Sequence, residues 1–357
     1  MNAVFTPHFT HKLCRFFTMQ QLNYILAIES SCDDTGAAVL CNEKVLSNVV
    51  ARQEIHELYG GVIPELASRA HQQNIVPVID VALQKAGISK SDLSAIAFTQ
   101  GPGLMGSLLV GGSFAKSLSM ALNIPLISVN HMHAHILAHF IDEEGYDKPE
   151  FPFLAMTISG GHTQIVKVNS FTDMEILGET TDDAVGEAYD KTAKILGFPY
   201  PGGPLIDQHA QNGNPKAYVF TKPKVDGLNF SFSGLKTQIL YFIQREIQKN
   251  PNFIKENIDD ICASVQHTII RILMDKIKLA VEQTGIRQIA IGGGVSANSG
   301  IRKALKETET KYGWKTFIPK FEYTTDNAAM IGIVGYHKFR LGIFSDDEVV
   351  SKARMEF

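Results

Sequence analysis

Short apolar runs and longer periodic stretches alternate along the chain. Residues 25–28 and 37–40 are apolar runs separated by a short polar turn, and residues 45–50 form a third strand-like run. A helical pattern follows over residues 65–85. Apolar runs of this length, bounded by turn residues, are typical of buried strands. The pattern therefore predicts a β-hairpin, a third strand and a helix.

The same plan recurs in the second half of the chain. Residues 153–168 hold two apolar runs around the turn Ser159-Gly160-Gly161-His162-Thr163, a third run covers 174–177, and a helical stretch covers 183–196. Two copies predict two similarly folded domains that face each other. Their turns, rich in Ser, Thr, Gly and Asp, present backbone amides that suit a phosphate. A pair of ordinary hairpins is the alternative interpretation.

Two further glycine-rich segments follow predicted strands. Residues 95–98 and 126–129 predict buried parallel strands in an α/β alternation, and we expect the glycines of the helix between them to permit close packing rather than to bind phosphate. These helix glycines are Gly106, Gly111 and Gly112. At residues 292–294, three glycines offer bare backbone to a nucleotide or make a tight turn, with Ser296 the expected helix N-cap. No Lys-Ser/Thr follows, which argues against a P-loop.

Composition narrows the class of protein. The 357 residues allow two domains, and the 45% hydrophobic and 20% charged content is typical of a globular protein. No apolar run approaches the roughly 20 residues that span a bilayer, so we expect no membrane role. The four cysteines form no CxxC pair, which favours a reducing compartment and predicts a cytoplasmic location. A net charge of −4 gives no overall field that attracts nucleic acid.

The first residues lack an element pattern. Residues 1–18 contain Lys12, Arg15 and several aromatic residues but no acid, and the first convincing strand begins near Asn23. A transit peptide would be richer in Ser and Arg. We therefore expect 1–21 to be a disordered extension, with Met19 the start of translation.

Two histidines form a candidate metal clamp. His131 and His135 stand four residues apart in a helical context, so both imidazoles project from one helix face. No glutamate lies between them, which argues against the HExxH site of a metallopeptidase. We discount His133, on another face, and His139, one turn further, as ligands. His162 is expected to shape its turn rather than to act as a base.

Two acidic residues follow the first predicted strand. Asp33 and Asp34 are candidate catalytic groups that would polarise the attacking nucleophile, with Asp33 favoured because adjacent residues on extended chain face opposite ways. An Asx-type turn without catalytic function is the alternative.

Taken together, several motifs closely resemble the TsaD family over residues 22–340. The motifs are Glu29-Ser30-Ser31-Cys32-Asp33-Asp34-Thr35, Gly101-Pro102-Gly103, the His131/His135 pair, Ser159-Gly160-Gly161-His162-Thr163, Pro201-Gly202-Gly203-Pro204, Ser231-Phe232-Ser233-Gly234-Leu235-Lys236-Thr237, Gly292-Gly293-Gly294-Val295 and Thr325-Asp326-Asn327. The resemblance implies an α/β, actin-like (ASKHA) fold of two duplicated RNase H-like domains around a cleft. We expect the first at 22–149, completed by a C-terminal helix at 325–345, and the second at 150–324.

The resemblance also implies an activity and its site. The activity is transfer of threonylcarbamoyl from threonylcarbamoyl-AMP to the adenosine beside the anticodon of tRNAs that read codons beginning with A. It implies one divalent metal ion, Fe(II) or Zn, on His131, His135 and Asp326, which would act as a Lewis acid. The implied substrate contacts are Thr157, Ile158, Ser159, Gly160, Gly161, Asp190, Gly203, Asp207 and Asn298.

The same resemblance bears on partners and on competing functions. It implies tRNA, a paralogous TsaB-like subunit and a TsaE-like ATPase as partners. A small-metabolite kinase of the same superfamily is the main competing function, but it would hold Mg²⁺ with oxygens rather than with a histidine pair. A metallopeptidase and a nonenzymatic scaffold are two further hypotheses.

Overall fold

The computed structural model describes residues 22–357, and the predicted extension at 1–21 lies outside the described residues. The strands are β1 (Tyr24–Glu29), β2 (Thr35–Cys41), β3 (Lys44–Ala51), β4 (Ala95–Gly101), β5 (Leu126–Asn130), β6 (Phe153–Ile158), β7 (Thr163–Val168), β8 (Met174–Glu179), β9 (Gln288–Gly292) and β10 (Lys315–Phe317). The helices are α1 (Ile55–Tyr59), α2 (Pro64–Ala86), α3 (Met105–Leu122), α4 (His131–Leu137), α5 (Val185–Leu196), α6 (Gly203–Ala210), α7 (Ser233–Lys249), α8 (Phe253–Thr284), α9 (Ser299–Tyr312) and α10 (Ala328–Arg340).

The strands form two five-stranded sheets with the same topology. The first sheet has the order β3-β2-β1-β4-β5, and the second has the order β10-β9-β6-β7-β8. In each sheet the first three strands pair antiparallel and the last two add in parallel. The internal repeat in the sequence is therefore a repeat of structure. The domain boundaries at 22–149 and 150–324 stay a prediction.

Alternation along β1 shows how the sheets are covered on both faces. Ile25 and Ala27 pack into a central core that also holds residues of β6, α4 and α10. Leu26 and Ile28 point the other way, into a core with α2 and α3. Because strands buried on both faces have no polar side, they appear in the sequence as continuous apolar runs. A third core packs the far face of the second sheet against α5, α7 and α8.

The segment after α10 returns along the first sheet towards α4. The Ser345 amide donates to the Leu126 carbonyl at 2.8 Å, and the Lys352 amide donates to the Gln100 carbonyl at 2.8 Å. Near its end, the Glu356 carbonyl accepts a hydrogen bond from Asn130 Nδ2 at 3.2 Å. This segment therefore braces the ends of β4 and β5, where the predicted site begins. Among the described residues, no helix is long and apolar enough to cross a bilayer.

Small residues in α3 are explained by packing, as expected. A Cβ at Gly111 would lie 2.2 Å from Ser30 Oγ, and one at Gly112 would lie 3.0 Å from Ser351 Oγ. The predicted N-cap at Ser296 is wrong. A 3₁₀ turn, Gly294–Ala297, intervenes before α9, so Asn298 caps that helix by accepting from the Ile301 amide at 3.0 Å.

Candidate functional site

His131, His135 and Asp326 meet at one point. Asp326 Oδ1 lies 3.4 Å from His131 Nε2 and 3.3 Å from His135 Nε2. Around a tetrahedral ion with bonds of about 2.1 Å, neighbouring ligand atoms stand about 3.4 Å apart. The two distances to Asp326 match this spacing, and all three ligand atoms lie within 4.8 Å of one another, the one group of this kind found among the described residues.

Local structure fixes each of these side chains. Helix α4 starts directly after β5, and the Asn130 side chain caps it by accepting from the amides of Met132 at 2.8 Å and His133 at 3.3 Å. Asp326 stands just before α10, whose N-cap Asn327 accepts from the Met330 amide at 3.0 Å. Side-chain caps hold both helix starts, so the ligands project from ordered backbone.

A buried carboxylate orients the first histidine. Glu29, at the end of β1, lies with Oε2 3.2 Å from His131 Nδ1 and accepts a hydrogen bond from Thr99 Oγ1 at 2.6 Å. Ser31 Oγ is also 3.2 Å from the same ring nitrogen. With Nδ1 held this way, Nε2 remains for an ion, as is usual at metal sites. The sequence pattern did not predict this role of Glu29. The one feature that could have indicated it is the position of an acidic residue at the end of an apolar run.

Electrostatics favours a cation at this point. Burial alone would lower the pKa of His131, but the carboxylates of Asp326 and Glu29 raise it well above its usual value. Burial alone would raise the pKa of Asp326, but the charge of His131 and bonds from both histidines hold it below its usual value. The Glu29 pKa is lowered because His131 outweighs burial. Both carboxylates are therefore ionised at neutral pH. Protons compete with a metal ion for the same ligand atoms, because the ligands must be deprotonated to bind the ion.

The other histidines near the site have separate contacts. His139 Nε2 lies 2.9 Å from the Ile291 carbonyl oxygen, and the His133 ring packs edge-on against Phe357 at 4.7 Å. His162 holds its turn through backbone contacts, since its carbonyl accepts from the Ser159 amide at 2.9 Å. Burial and the charges of His131 and His135 lower the pKa of His162, so its ring is neutral at pH 7.

The metal ligands open onto a cavity of about 1310 Å³. This volume exceeds that of an ordinary small-molecule pocket and leaves room for two reactants. His131 and Asp326 line the cavity, whereas the His135 side chain is only 1% exposed behind them. The predicted substrate residues that line it are Ser159, Gly160, Gly161, Asp190, Gly203, Asp207 and Asn298. Thr157 and Ile158 end strand β6 and are fully buried, so their side chains lie behind the wall.

Several of these polar side chains already have partners. Asp190 Oδ1 accepts from the amides of Gly202 at 2.9 Å and Gly203 at 3.1 Å, which holds the proline-glycine turn against α5. Asn298 donates from Nδ2 to Gln266 Oε1 at 2.7 Å in addition to capping α9. Asp207 Oδ1 accepts from the same Gln266 at 2.9 Å. These bonds position the cavity wall.

The two candidate catalytic acids differ in placement. Asp34 lines the cavity, whereas Asp33 does not belong to the set of described residues that line it. Burial, followed by the charges of Asp33 and Asp326, raises the pKa of Asp34 to about 7. The fully buried His71 holds this turn, with Nδ1 2.8 Å from Thr35 Oγ1 and Nε2 3.0 Å from the Cys32 carbonyl.

Comparison with known proteins identifies close relatives. The TsaD family model, described as tRNA N6-adenosine threonylcarbamoyltransferase, matches residues 44–333. A protein of that name from Christiangramia forsetii is 72% identical over 338 residues, covering 95% of this chain and 99% of the relative. Another from Riemerella anatipestifer is 60% identical over 332 residues, covering 93% and 97%. One from Porphyromonas gingivalis is 56% identical over 333 residues, covering 93% and 98%.

Solved structures of distant sequence share the fold. The crystal structure of T. kodakarensis HypF has a TM-score of 0.60 at 14% identity, covering 92% of this chain and 49% of that chain. Full-length HypF in the phosphate- and nucleotide-bound form has a TM-score of 0.59 at 13% identity, covering 90% and 47%. At such identities the likeness shows the fold alone. With the two repeated sheets, it confirms the predicted actin-like α/β class.

Proposed function

The chain belongs to the TsaD family of tRNA N6-adenosine threonylcarbamoyltransferases, and we propose that it performs this transfer with a divalent metal ion held by His131, His135 and Asp326. The predicted transferase function is confirmed by its relatives, which leaves no need for a kinase, metallopeptidase or scaffold function. The observation that carries the metal proposal is the convergence of two imidazole nitrogens on Asp326 Oδ1, at 3.4 Å and 3.3 Å, the spacing expected between ligands of one ion.

Each residue of the metal group has a distinct task. A bound divalent ion supplies Lewis-acid polarisation of a carbonyl or phosphate oxygen. Glu29 fixes the His131 ring through Nδ1, so that Nε2 would be available to hold the ion, and the buried His135 would hold it from the rear of the site. His131 and Asp326 border the cavity, which leaves the reactants access from that side. Two nitrogen ligands and one oxygen ligand suit Fe(II) or Zn, one ion per subunit.

We propose threonylcarbamoyl-AMP as the donor, bound along the opposite wall. Gly160 and Gly161 are exposed and offer backbone amides without side-chain obstruction, which suits an anionic oxygen. Asp190, Gly203, Asp207 and Asn298 would hold the rest of the donor. Thr157 and Ile158 would support the turn from strand β6. The acceptor would be the adenosine beside the anticodon in tRNAs that read codons beginning with A.

We propose Asp34 as the acceptor of the proton that the adenosine amine loses. An adenine amine is a weak nucleophile, because its lone pair is delocalised into the ring. Burial raises the pKa of Asp34, which makes its carboxylate a stronger proton acceptor than that of a free aspartate. Asp33 is then a neighbouring charge that helps to raise the pKa of Asp34.

The pKa of Asp34 predicts a pH-dependent stability effect. Because its folded pKa of about 7 exceeds that of a free aspartate, the protonated side chain stabilises the fold below about pH 4, and this contribution is lost as pH rises through 7. In metal-free protein, Asp34→Asn should raise the free energy of unfolding relative to wild type by about 2 kcal/mol at pH 8 and much less at pH 5. Urea unfolding at both pH values measures this difference. A difference independent of pH would contradict the raised pKa.

We also propose that the chain acts in the cytoplasm with a TsaB-like subunit and a TsaE-like ATPase. The family membership supports both partners. Affinity for nucleic acid depends mainly on positive side chains that contact phosphates. A chain with a net charge of −4 therefore supports a role for partner subunits in binding the tRNA. The basic residues available are scattered rather than concentrated in one segment.

Removing the metal tests the central proposal. Protein treated with a chelator and then dialysed should lose the ability to form modified adenosine when given its partners, threonine, bicarbonate, ATP and tRNA. Refilling with Zn or Fe(II) should restore the product. Binding of tRNA to stripped and refilled protein serves as the control and should be equal. Full activity in demonstrably metal-free protein would reject the proposal.

A further inference from the structure

An exposed aromatic ring stands at the rim of the cavity. Phe321 is 66% exposed, lines the cavity, and begins the 3₁₀ turn that precedes the metal ligand Asp326 by five positions. Leu58 and Tyr59 are also exposed apolar residues that line the same cavity. Single exposed apolar side chains are ordinary on protein surfaces. Several exposed apolar side chains around one cavity indicate that this rim binds a ligand.

One face of the Phe321 ring is already backed by a cation. The guanidinium carbon of Arg302 lies 5.5 Å from the ring centroid. Arg302 is itself fixed, because Nε donates to the Ser296 carbonyl at 2.7 Å and a terminal nitrogen donates to the Pro319 carbonyl at 3.0 Å. The ring face away from Arg302 is the one left for a further planar group. A planar partner there would complete a cation–aromatic–partner stack.

The turn that carries the ring is anchored on both sides. Tyr323 is buried, and its hydroxyl donates to Glu143 Oε1 at 2.5 Å. Lys320 Nζ donates to Glu143 Oε2 at 3.1 Å, and Thr324 Oγ1 donates to the Phe321 carbonyl at 2.7 Å. Ordering such a ring costs little additional entropy on binding, because its backbone is already held.

We propose that Phe321 is a stacking platform for an adenine ring at the cavity rim. The inference rests on the transfer to tRNA adenosine, because that reaction brings an adenine to this cavity. Enzymes that modify a base take it out of its stack and replace the lost stacking with aromatic side chains. The acceptor adenine is favoured over the adenine of an adenylate donor, because a base attached to tRNA enters from solvent, where the rim stands.

Two binding measurements separate these sources of adenine. The first compares an anticodon stem-loop RNA that carries adenine at the acceptor position with the same RNA made abasic there. The second measures the affinity for AMP by calorimetry. The variants are Phe321→Ala, the stacking-competent Phe321→Trp, and Tyr241→Ala as a matched control, since Tyr241 is also 66% exposed but does not line the cavity.

Wild type and Tyr241→Ala should bind the adenine RNA about 10-fold more tightly than the abasic RNA. Phe321→Ala should reduce this ratio towards one, and Phe321→Trp should retain it. If Phe321→Ala weakens AMP binding instead, the platform holds the donor adenine. An unchanged RNA ratio together with unchanged AMP affinity would overturn the proposal. Metal content is measured in each variant. A change in RNA binding at unchanged metal content is then due to the ring and not to loss of the metal site.

Discussion

Asp326→Ala is expected to lower kcat/KM for tRNA modification by about three orders of magnitude. The substitution removes the only carboxylate among the three ligand atoms and leaves two imidazole nitrogens on one helix. Two ligands hold a divalent ion poorly, and loss of Lewis-acid stabilisation costs several kcal/mol, on the order of a thousand-fold in rate. Metal content measured by mass spectrometry should fall in parallel with the activity.

Two further variants separate loss of the metal from loss of the fold. Asp326→Asn keeps the side-chain shape but removes the charge, so it should also lose metal while the secondary structure remains. Asp347→Ala removes an exposed aspartate far along the C-terminal segment and should match wild type. If Asp326→Ala kept both its metal and its rate, the assignment of this residue as a ligand would fail.

Local pattern was sufficient for most of the fold and for part of the site. The apolar runs predicted the buried strands correctly, because both faces of each sheet are covered. The internal repeat predicted the two sheets, because each copy folds into the same five-stranded order. The four-residue spacing marked His131 and His135 because both lie on α4. These features depend on neighbours along the chain.

Features that depend on distant parts of the chain could not be predicted in this way. Asp326 was placed with the histidines only through the family resemblance. The contact between Glu29 and His131 joins residues 102 positions apart, and no local pattern around either residue predicts the contact. Ser296 was misplaced because Asn298, two positions further on, is an equally favoured capping residue, and the 3₁₀ turn that separates them is not marked in the sequence. Likewise, the pattern favoured Asp33 over Asp34, whereas Asp34 is the one that lines the cavity, because cavity access depends on the folded turn.

The glycine cluster at the end of β9 shows how long-range packing determines a local motif. Gly292 lies against α4, where a Cβ would stand 2.6 Å from the carbonyl oxygen of His135. Gly293 has a φ of +87°, and a Cβ there would stand 2.6 Å from the carbonyl oxygen of Ile158. At Gly294 a Cβ would meet no atom within 4 Å. Close approach explains the first two glycines, and only Gly294 is free to face a ligand.

Gly293→Ala is therefore expected to destabilise the protein by about 3 kcal/mol, because alanine adds backbone strain at positive φ and a clash with rigid backbone. Thermal unfolding should show a decrease in Tm of about 4 °C. The neighbouring Gly294→Ala is the matched control and should change the free energy of unfolding by less than about 0.5 kcal/mol. Activity measured well below both melting temperatures should fall in Gly293→Ala, because Ile158 leads directly into the Ser159–Gly161 turn. Equal melting temperatures for the two variants would show that the strand end yields to the extra methyl group, and the close approach would then not account for the glycine.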